Sequence, residues 1–232
     1  MLSLRDVSKS YYTATREIEA LRGLSIEIGE GRFVAIMGRS GSGKSSLLNI
    51  LALVDDATSG SFRFLGQETV GLSERARTAL RRRYSSYIFQ DTRLIDGLSV
   101  RANVEIGILY RAIPAAIRGL CVDEAMDMAG IAHRADHPVH LLSAGQQRRV
   151  EIARAIVGKP RVIFADEPAG DLDLRFADQL IGILWALNRR GTTIVMATHS
   201  AAYAAQASDI VYLADGLRIG DGSERTPLRS MG

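Results

Sequence analysis

Gly38-Arg39-Ser40-Gly41-Ser42-Gly43-Lys44-Ser45 sets two glycines, a lysine and a hydroxyl residue at the spacing of a phosphate-binding loop. Each residue type has its own task in such a loop. The glycines let backbone N–H groups close around a polyphosphate, Lys44 brings a point charge to the terminal phosphates, and the Ser45 hydroxyl suits Mg²⁺. Gly38, Arg39, Ser40, Gly41, Ser42, Gly43, Lys44, Ser45 and the following Ser46 are therefore assigned to nucleotide binding. The loop must be aimed by a strand and must run into a helix. Phe33-Val34-Ala35-Ile36-Met37 reads as a buried strand and Ser46-Leu47-Leu48-Asn49-Ile50-Leu51 opens an apolar-periodic helix, so the required order is present.

A second apolar run, Arg161-Val162-Ile163-Phe164-Ala165-Asp166-Glu167, ends in two carboxylates before Pro168, which cannot donate to a strand ladder. Alone, the Asp-Glu pair reads equally well as the start of a solvated loop. Beside a phosphate loop it reads as chemistry, because open α/β sheets bind ligands at the carboxyl ends of their strands. Asp166 is then placed to hold Mg²⁺, directly or through water, and Glu167 is the natural base for an attacking water. Leu142-Ser143-Ala144-Gly145-Gln146 precedes a helical pattern over residues 147–157. Ser143 can cap that helix, and small residues at its start present free N–H groups and a positive dipole end, a second anion site.

The 232 residues, 47% hydrophobic and 24% charged, predict one compact α/β unit with an embedded subdomain. No stretch approaches the ~18 apolar residues of a membrane span. Met1-Leu2-Ser3-Leu4-Arg5-Asp6 moves straight into strand-like alternation, so a cytoplasmic protein is expected. The single cysteine, Cys121, excludes an internal disulfide framework and a thiolate zinc cluster. Net charge is +3 and the basic residues are scattered, so no nucleic-acid partner is expected, and Arg81-Arg82-Arg83 reads as a solvated helix face. His133, His137 and His140 have a spacing that suggests metal, but Pro138 interrupts any helix that would align them, and no metal is assigned there.

Residues 142–146 match the Leu-Ser-Gly-Gly-Gln signature at four of five positions, and with the phosphate loop, Gln90, the acidic strand and His199 in order the chain resembles the ATP-binding cassette family. That resemblance implies a P-loop NTPase (RecA-like) α/β core with an antiparallel β subdomain and an inserted α-helical subdomain. The expected division is 1–90 and 158–222 for the core, 91–157 for the helical signature subdomain, in which Leu94 to Tyr110 and Val122 to Ala132 read as helix-rich, and 223–232 for a polar tail. It implies that Tyr11, with Tyr12 as second choice, stacks on adenine, and that Gln90 touches Mg²⁺ and links the site to the helical subdomain. It further implies that Asp173 contacts an opposite subunit, although a helix cap explains that residue as well, and that His199 bonds the γ-phosphate, although a lone histidine there also suits a structural role. The expected catalytic set is Lys44, Gln90, Glu167 and His199, with Mg²⁺ on Ser45, Gln90 and Asp166.

The same resemblance implies ATP and Mg²⁺ as cofactors, and a head-to-tail homodimer in which Leu142, Ser143, Ala144, Gly145 and Gln146 act on the partner's nucleotide. It also implies an integral-membrane permease as partner, at the cytoplasmic face of the inner membrane. Ser10-Tyr11, Leu47-Leu48-Asn49-Ile50-Leu51 and Ala165-Asp166-Glu167-Pro168 look like cassettes serving macrolide export, lipoprotein release, haem export or cell-division signalling. The expected function is ATP hydrolysis powering export or extraction of a hydrophobic or amphipathic substrate; the alternative is regulation of an envelope or cell-division enzyme without transport. Two positions depart from the pattern: Ala144 replaces the first signature glycine, which slows hydrolysis if that position needs positive φ or a very close backbone approach, and Asp171 stands where the subgroup usually has asparagine.

Overall fold

The computed structural model describes residues 1–13, 16–170 and 172–220; Asp171 and the 223–232 tail lie outside the described residues. The chain runs β1 (Leu2–Tyr12), β2 (Glu17–Ile28), β3 (Phe33–Met37), α1 (Lys44–Leu51), β4 (Ser59–Phe64), β5 (Gln67–Glu68), α2 (Glu74–Tyr84) and β6 (Ser85–Ile88). It continues with α3 (Val100–Glu105), α4 (Ala115–Met128), α5 (Ala144–Ile156), β7 (Val162–Asp166), α6 (Leu174–Arg189), β8 (Thr193–Ala197), α7 (Ala201–Ala204), β9 (Asp209–Ala214) and β10 (Leu217–Ile219).

Two sheets form. An antiparallel sheet has the order β2-β1-β4-β5, and a second sheet has the order β10-β9-β3-β8-β7-β6, parallel except for the β9–β10 hairpin. The inner parallel strands β3, β8 and β7 are nearly continuous apolar runs because helices or the other sheet cover both of their faces. Successive side chains therefore enter different cores. Ile163, Ala165, Ile194 and Met196 pack with α3–α6, while Val162, Phe164, Val195 and Ala197 pack with α1 and the antiparallel sheet. The helices of the segment between β6 and β7 thus share one core with the sheet.

Two helical segments differ from the sequence reading. The stretch 94–110 forms only α3 and a 3-10 turn at Ile106–Ile108; Asn103, fully buried, ties the preceding loop down through Ile95 N–H (2.8 Å) and the carbonyls of Ile95 and Ser99. The reading of 122–132 as helix-rich starts too late, since α4 begins at Ala115 after Pro114. Its apolar Ile117 and Leu120 face solvent, which blurs the period-3.6 stripe that would have marked it. The arginine run is also less uniform than a solvated face: Arg81 turns inward to the Leu53 carbonyl, while Arg82 lies over Tyr110 and Arg83 over Tyr84.

Candidate functional site

The strand order puts the carboxyl ends of β3, β8, β7 and β6 side by side, and the chemistry-bearing residues follow those ends. A cleft of about 890 Å³ there is lined by Ser40, Gly41, Gly43, Lys44, Ser45 and Ser46 from the loop after β3. Gln90 after β6, Asp166 and Glu167 at the end of β7, and His199 after β8 complete that side. Gly38, Arg39 and Ser42 belong to the same loop but do not line the cleft.

The loop's shape requires its glycines. Gly43 has φ 100°, and a Cβ there would meet the Ala20 carbonyl oxygen at 2.5 Å; a Cβ at Gly38 would strike the Leu213 carbonyl and the Ser42 side chain. Helix α1 starts at Lys44, two residues before the expected start, with Gly43 as its cap residue and no side-chain cap, so its first N–H groups face the cleft. The Lys44 ammonium donates to the carbonyl oxygens of Gly38 (2.9 Å) and Arg39 (3.0 Å).

Glu167 has φ 43°, a left-handed conformation that is unusual for a residue with a side chain and more so before proline. Its N–H donates to Ala197 O (3.0 Å), which stitches the end of β7 to β8, and its Oε2 lies 3.0 Å from His199 Nδ1. Glu167 is largely buried and His199 exposed, so the histidine forms the solvent side of the pair. Burial pushes the Asp166 carboxyl above its ordinary value and the Glu167 charge adds to this, against the Ser45 hydroxyl and Lys44. Asp166 Oδ1 is buried with no hydrogen-bond partner among the described residues. A hydroxyl, a carboxylate and an amide oxygen from Ser45, Asp166 and Gln90 form a hard oxygen set of the kind Mg²⁺ takes, and the orphaned oxygen fits such an ion.

Other sequence-derived candidates stand apart from the cleft. Tyr11 does not line it; its hydroxyl donates to Asp55 Oδ2 (3.0 Å) and lies 3.4 Å from the Ser46 hydroxyl, at the cleft's edge. Tyr12 is mostly exposed. Leu142, Ser143, Ala144, Gly145 and Gln146 are absent from the cleft lining. Ser143 caps α5 in a reciprocal box, accepting from Gln146 N (3.4 Å) while its own N–H donates to Gln146 Oε1 (3.1 Å). Ala144 is the first residue of that helix and is not in the positive-φ region, so the methyl adds no backbone strain. Asp173 caps α6 through Phe176 N (3.1 Å), and the Phe176 ring packs where a Cβ on Gly145 would sit. His137 lies against Arg134 (3.0 Å) and His140 against the Asp96 carbonyl (3.1 Å).

Sequence reasoning missed one wall of the cleft, made of Ile18, Glu19, Ala20 and Arg22 on β2 and Asp215 and Gly216 in the β9–β10 turn. Arg22 N donates to Gly216 O (2.9 Å) and Gly216 N to Ser42 O (3.2 Å), joining that wall to the loop. The Asp-Gly pair is a hairpin-turn signal, but nothing in the sequence ties it to a nucleotide.

A family model described as ABC transporter matches residues 21–170. The chain is 41% identical over 216 residues to the uncharacterized ABC transporter ATP-binding protein MJ1508 of Methanocaldococcus jannaschii, covering 93% of this chain and 96% of that protein. It is 40% identical over 232 residues to the macrolide export ATP-binding/permease protein MacB 1/2 of Paracoccus denitrificans, covering 100% of this chain and 35% of that one. The chain thus spans about a third of the length of the macrolide-export relatives it matches. Among solved structures, the dimeric structure of MJ0796, a bacterial ABC transporter cassette, matches with a TM-score of 0.86 at 38% identity, over 93% of this chain and 95% of that one. A dimeric post-hydrolysis state of MJ0796 bound to ADP and Pi matches with a TM-score of 0.87 at 35% identity, over 100% of each chain. The chain therefore belongs to the ABC transporter family and is an ATP-binding-cassette ATPase built on a phosphate-loop α/β core.

Proposed function

We propose that the chain powers a separate integral-membrane permease, at the cytoplasmic face of the membrane, by closing as a head-to-tail homodimer on two ATP molecules. The carrying observation is that Lys44, Ser45, Gln90, Asp166, Glu167 and His199 share one cleft while Ser143 and its helix start lie elsewhere on the surface, so one copy holds only half of an anion site. A second copy supplies the other half if its Ser143 and Gly145 N–H groups meet the γ-phosphate. In this reading residues 91–157 carry the signature and dock on the permease, and Asp173, besides capping α6, approaches the opposite copy. The MJ0796 cassette is described as dimeric in both structures, one of them a post-hydrolysis state bound to ADP and Pi, which supports the pairing.

In the closed site Lys44 and the loop N–H groups hold the β and γ phosphates and Tyr11 stacks on adenine. Ser45, Asp166 and Gln90 would hold Mg²⁺, which would supply positive charge beside the phosphates when bound. Glu167 accepts the proton of the attacking water, and His199, 3.0 Å from Glu167 Oε2, holds that carboxylate and faces the γ-phosphate. Loss of the γ-phosphate removes the shared anion and the copies separate. The matched relatives named for macrolide export favour export of an amphipathic or hydrophobic substrate. If ATP turnover by the reconstituted chain and permease does not rise with such a substrate, regulation of an envelope enzyme without transport is the better reading.

Glu167→Gln should bind ATP, form a dimer on size exclusion with ATP and Mg²⁺, and hydrolyse at least ~100-fold more slowly, whereas Lys44→Ala should fail to capture nucleotide. A Glu167→Gln chain that stays monomeric with ATP, or turns over at the wild-type rate, would sink the proposal.

A further inference from the structure

Two side chains of charged type lie buried inside the helical segment, behind the cleft wall that Gln90 forms. Arg148 and Glu151 on α5 are 4% and 1% exposed, with Arg148 Nη1 2.5 Å from Glu151 Oε2. An apolar pair of similar size often serves a fold as well or better, so a buried ion pair invites the question of what it holds. Here it grips a backbone. Arg148 Nη1 donates to Phe89 O (2.5 Å) and its Nη2 to Gln90 O, while Phe89 N–H donates to Glu151 Oε1 (3.3 Å). Arg154, one turn on, donates to Arg93 O (2.6 Å). The Phe89 ring stacks on Tyr87 at 4.4 Å, and Arg93 covers it at 4.1 Å. The peptide that delivers Gln90 to the cleft is thus fastened to α5 by a forked guanidinium with a fixed donor geometry.

The same helix is capped by Ser143, five residues and roughly 7.5 Å before Arg148. We propose that Arg148, set by Glu151, is a positioning residue that makes the placement of Gln90 follow the position of the α5 start, so that seating Ser143 on a second copy's nucleotide adjusts Gln90 against the chain's own. The inference rests on the dimer and Gln90 assignments above. A helix is stiff along its axis, so a shift of its first turn reaches Arg148, and the Phe89 and Gln90 carbonyls follow because the guanidinium bonds both.

The test uses the purified full chain. Arg148→Met alone strands a buried carboxylate and risks misfolding, so the informative variant pairs it with Glu151→Leu, which removes both charges and keeps the volume. The paired variant should still unfold cooperatively in denaturant, less stable than wild type because the Phe89 and Gln90 backbone groups lose their partners, and should bind a fluorescent ATP analogue within about twofold, yet show kcat lowered about tenfold or more. In a Gln90→Ala background the same pair should cause no further loss, since both routes act through one side chain. Wild-type kcat in the paired variant, or an equal fold-loss in both backgrounds, overturns the coupling. Gln90→Ala at the wild-type rate would instead overturn the role given to Gln90, and the coupling with it.

Discussion

Glu167, the proposed base, is held at a backbone cost. Left-handed φ costs a residue with a Cβ about 1–2 kcal/mol relative to glycine, and here the Ala197 and His199 contacts hold Glu167 in that conformation. Glu167→Gly and Glu167→Ala both lack the carboxylate, so their difference isolates the backbone. The glycine variant should be the more stable by about 1 kcal/mol in denaturant unfolding, and an alanine variant of equal or greater stability would show that the φ carries no strain. Ala144 is the opposite case, because it sits in an ordinary helical turn where glycine brings no relief. Ala144→Gly should leave kcat within about twofold and lower stability by up to ~1 kcal/mol; a several-fold gain in turnover would mean that the methyl obstructs the phosphate approach after all.

At the scale of elements, the end of β1 is tied to the segment after α1 through Asp55. Lys9 Nζ lies 2.7 Å from Asp55 Oδ1 and Tyr11 bonds Oδ2, which keeps the Tyr11 ring beside Ser46. Burial pushes the Asp55 carboxyl up, but Lys9, the Asp56 N–H and the Tyr11 hydroxyl together hold it below its ordinary 3.8. A lowered carboxylate stabilises the fold fully above its unfolded value and loses that contribution as pH falls through the folded one. Asp55→Asn should therefore unfold at a lower temperature than wild type at pH 7, with the gap closing below pH 3.8; a gap that grows on acidification would reverse the assignment. Elements differ in how plainly the sequence declares them. β3, β7 and β8 are legible because burial on both faces leaves uninterrupted apolar runs, and the loop after β3 because its glycines answer a steric demand. The Arg148–Glu151 clamp is not, since charges three apart on a helix normally mark its solvated face and only the docking of Phe89 buries them. The β2 wall of the cleft is hidden for the same reason: Ile18, Glu19 and Ala20 acquire meaning only when Gly216 and the phosphate loop pack against that strand.

For the whole molecule, the separation of the two half-sites dictates what symmetry must supply. A two-fold pair in which each loop faces the other copy's signature has two sites, each built from Lys44 of one chain and Ser143 of its twin. Lys44→Ala and Ser143→Arg should each abolish turnover in a uniform dimer, because every site then contains a damaged half. Mixed, the two inactive chains should recover activity: a dimer with one of each carries both lesions in one site and leaves the other intact. Random pairing of equal amounts makes half the dimers mixed, each with one sound site, so the recovered rate should approach about a quarter of wild type if sites turn over independently. Recovery well below that value requires that an intact site depend on its neighbour, as the link from Ser143 through Arg148 to Gln90 would impose. No recovery at all, with nucleotide binding by the Ser143→Arg chain retained and mixed dimers verified by tag capture, would mean either that the half-sites do not meet across copies or that neither site works without two sound loops. A Ser143→Arg chain that is active before any mixing would overturn the shared site outright, since the signature would then be no part of it.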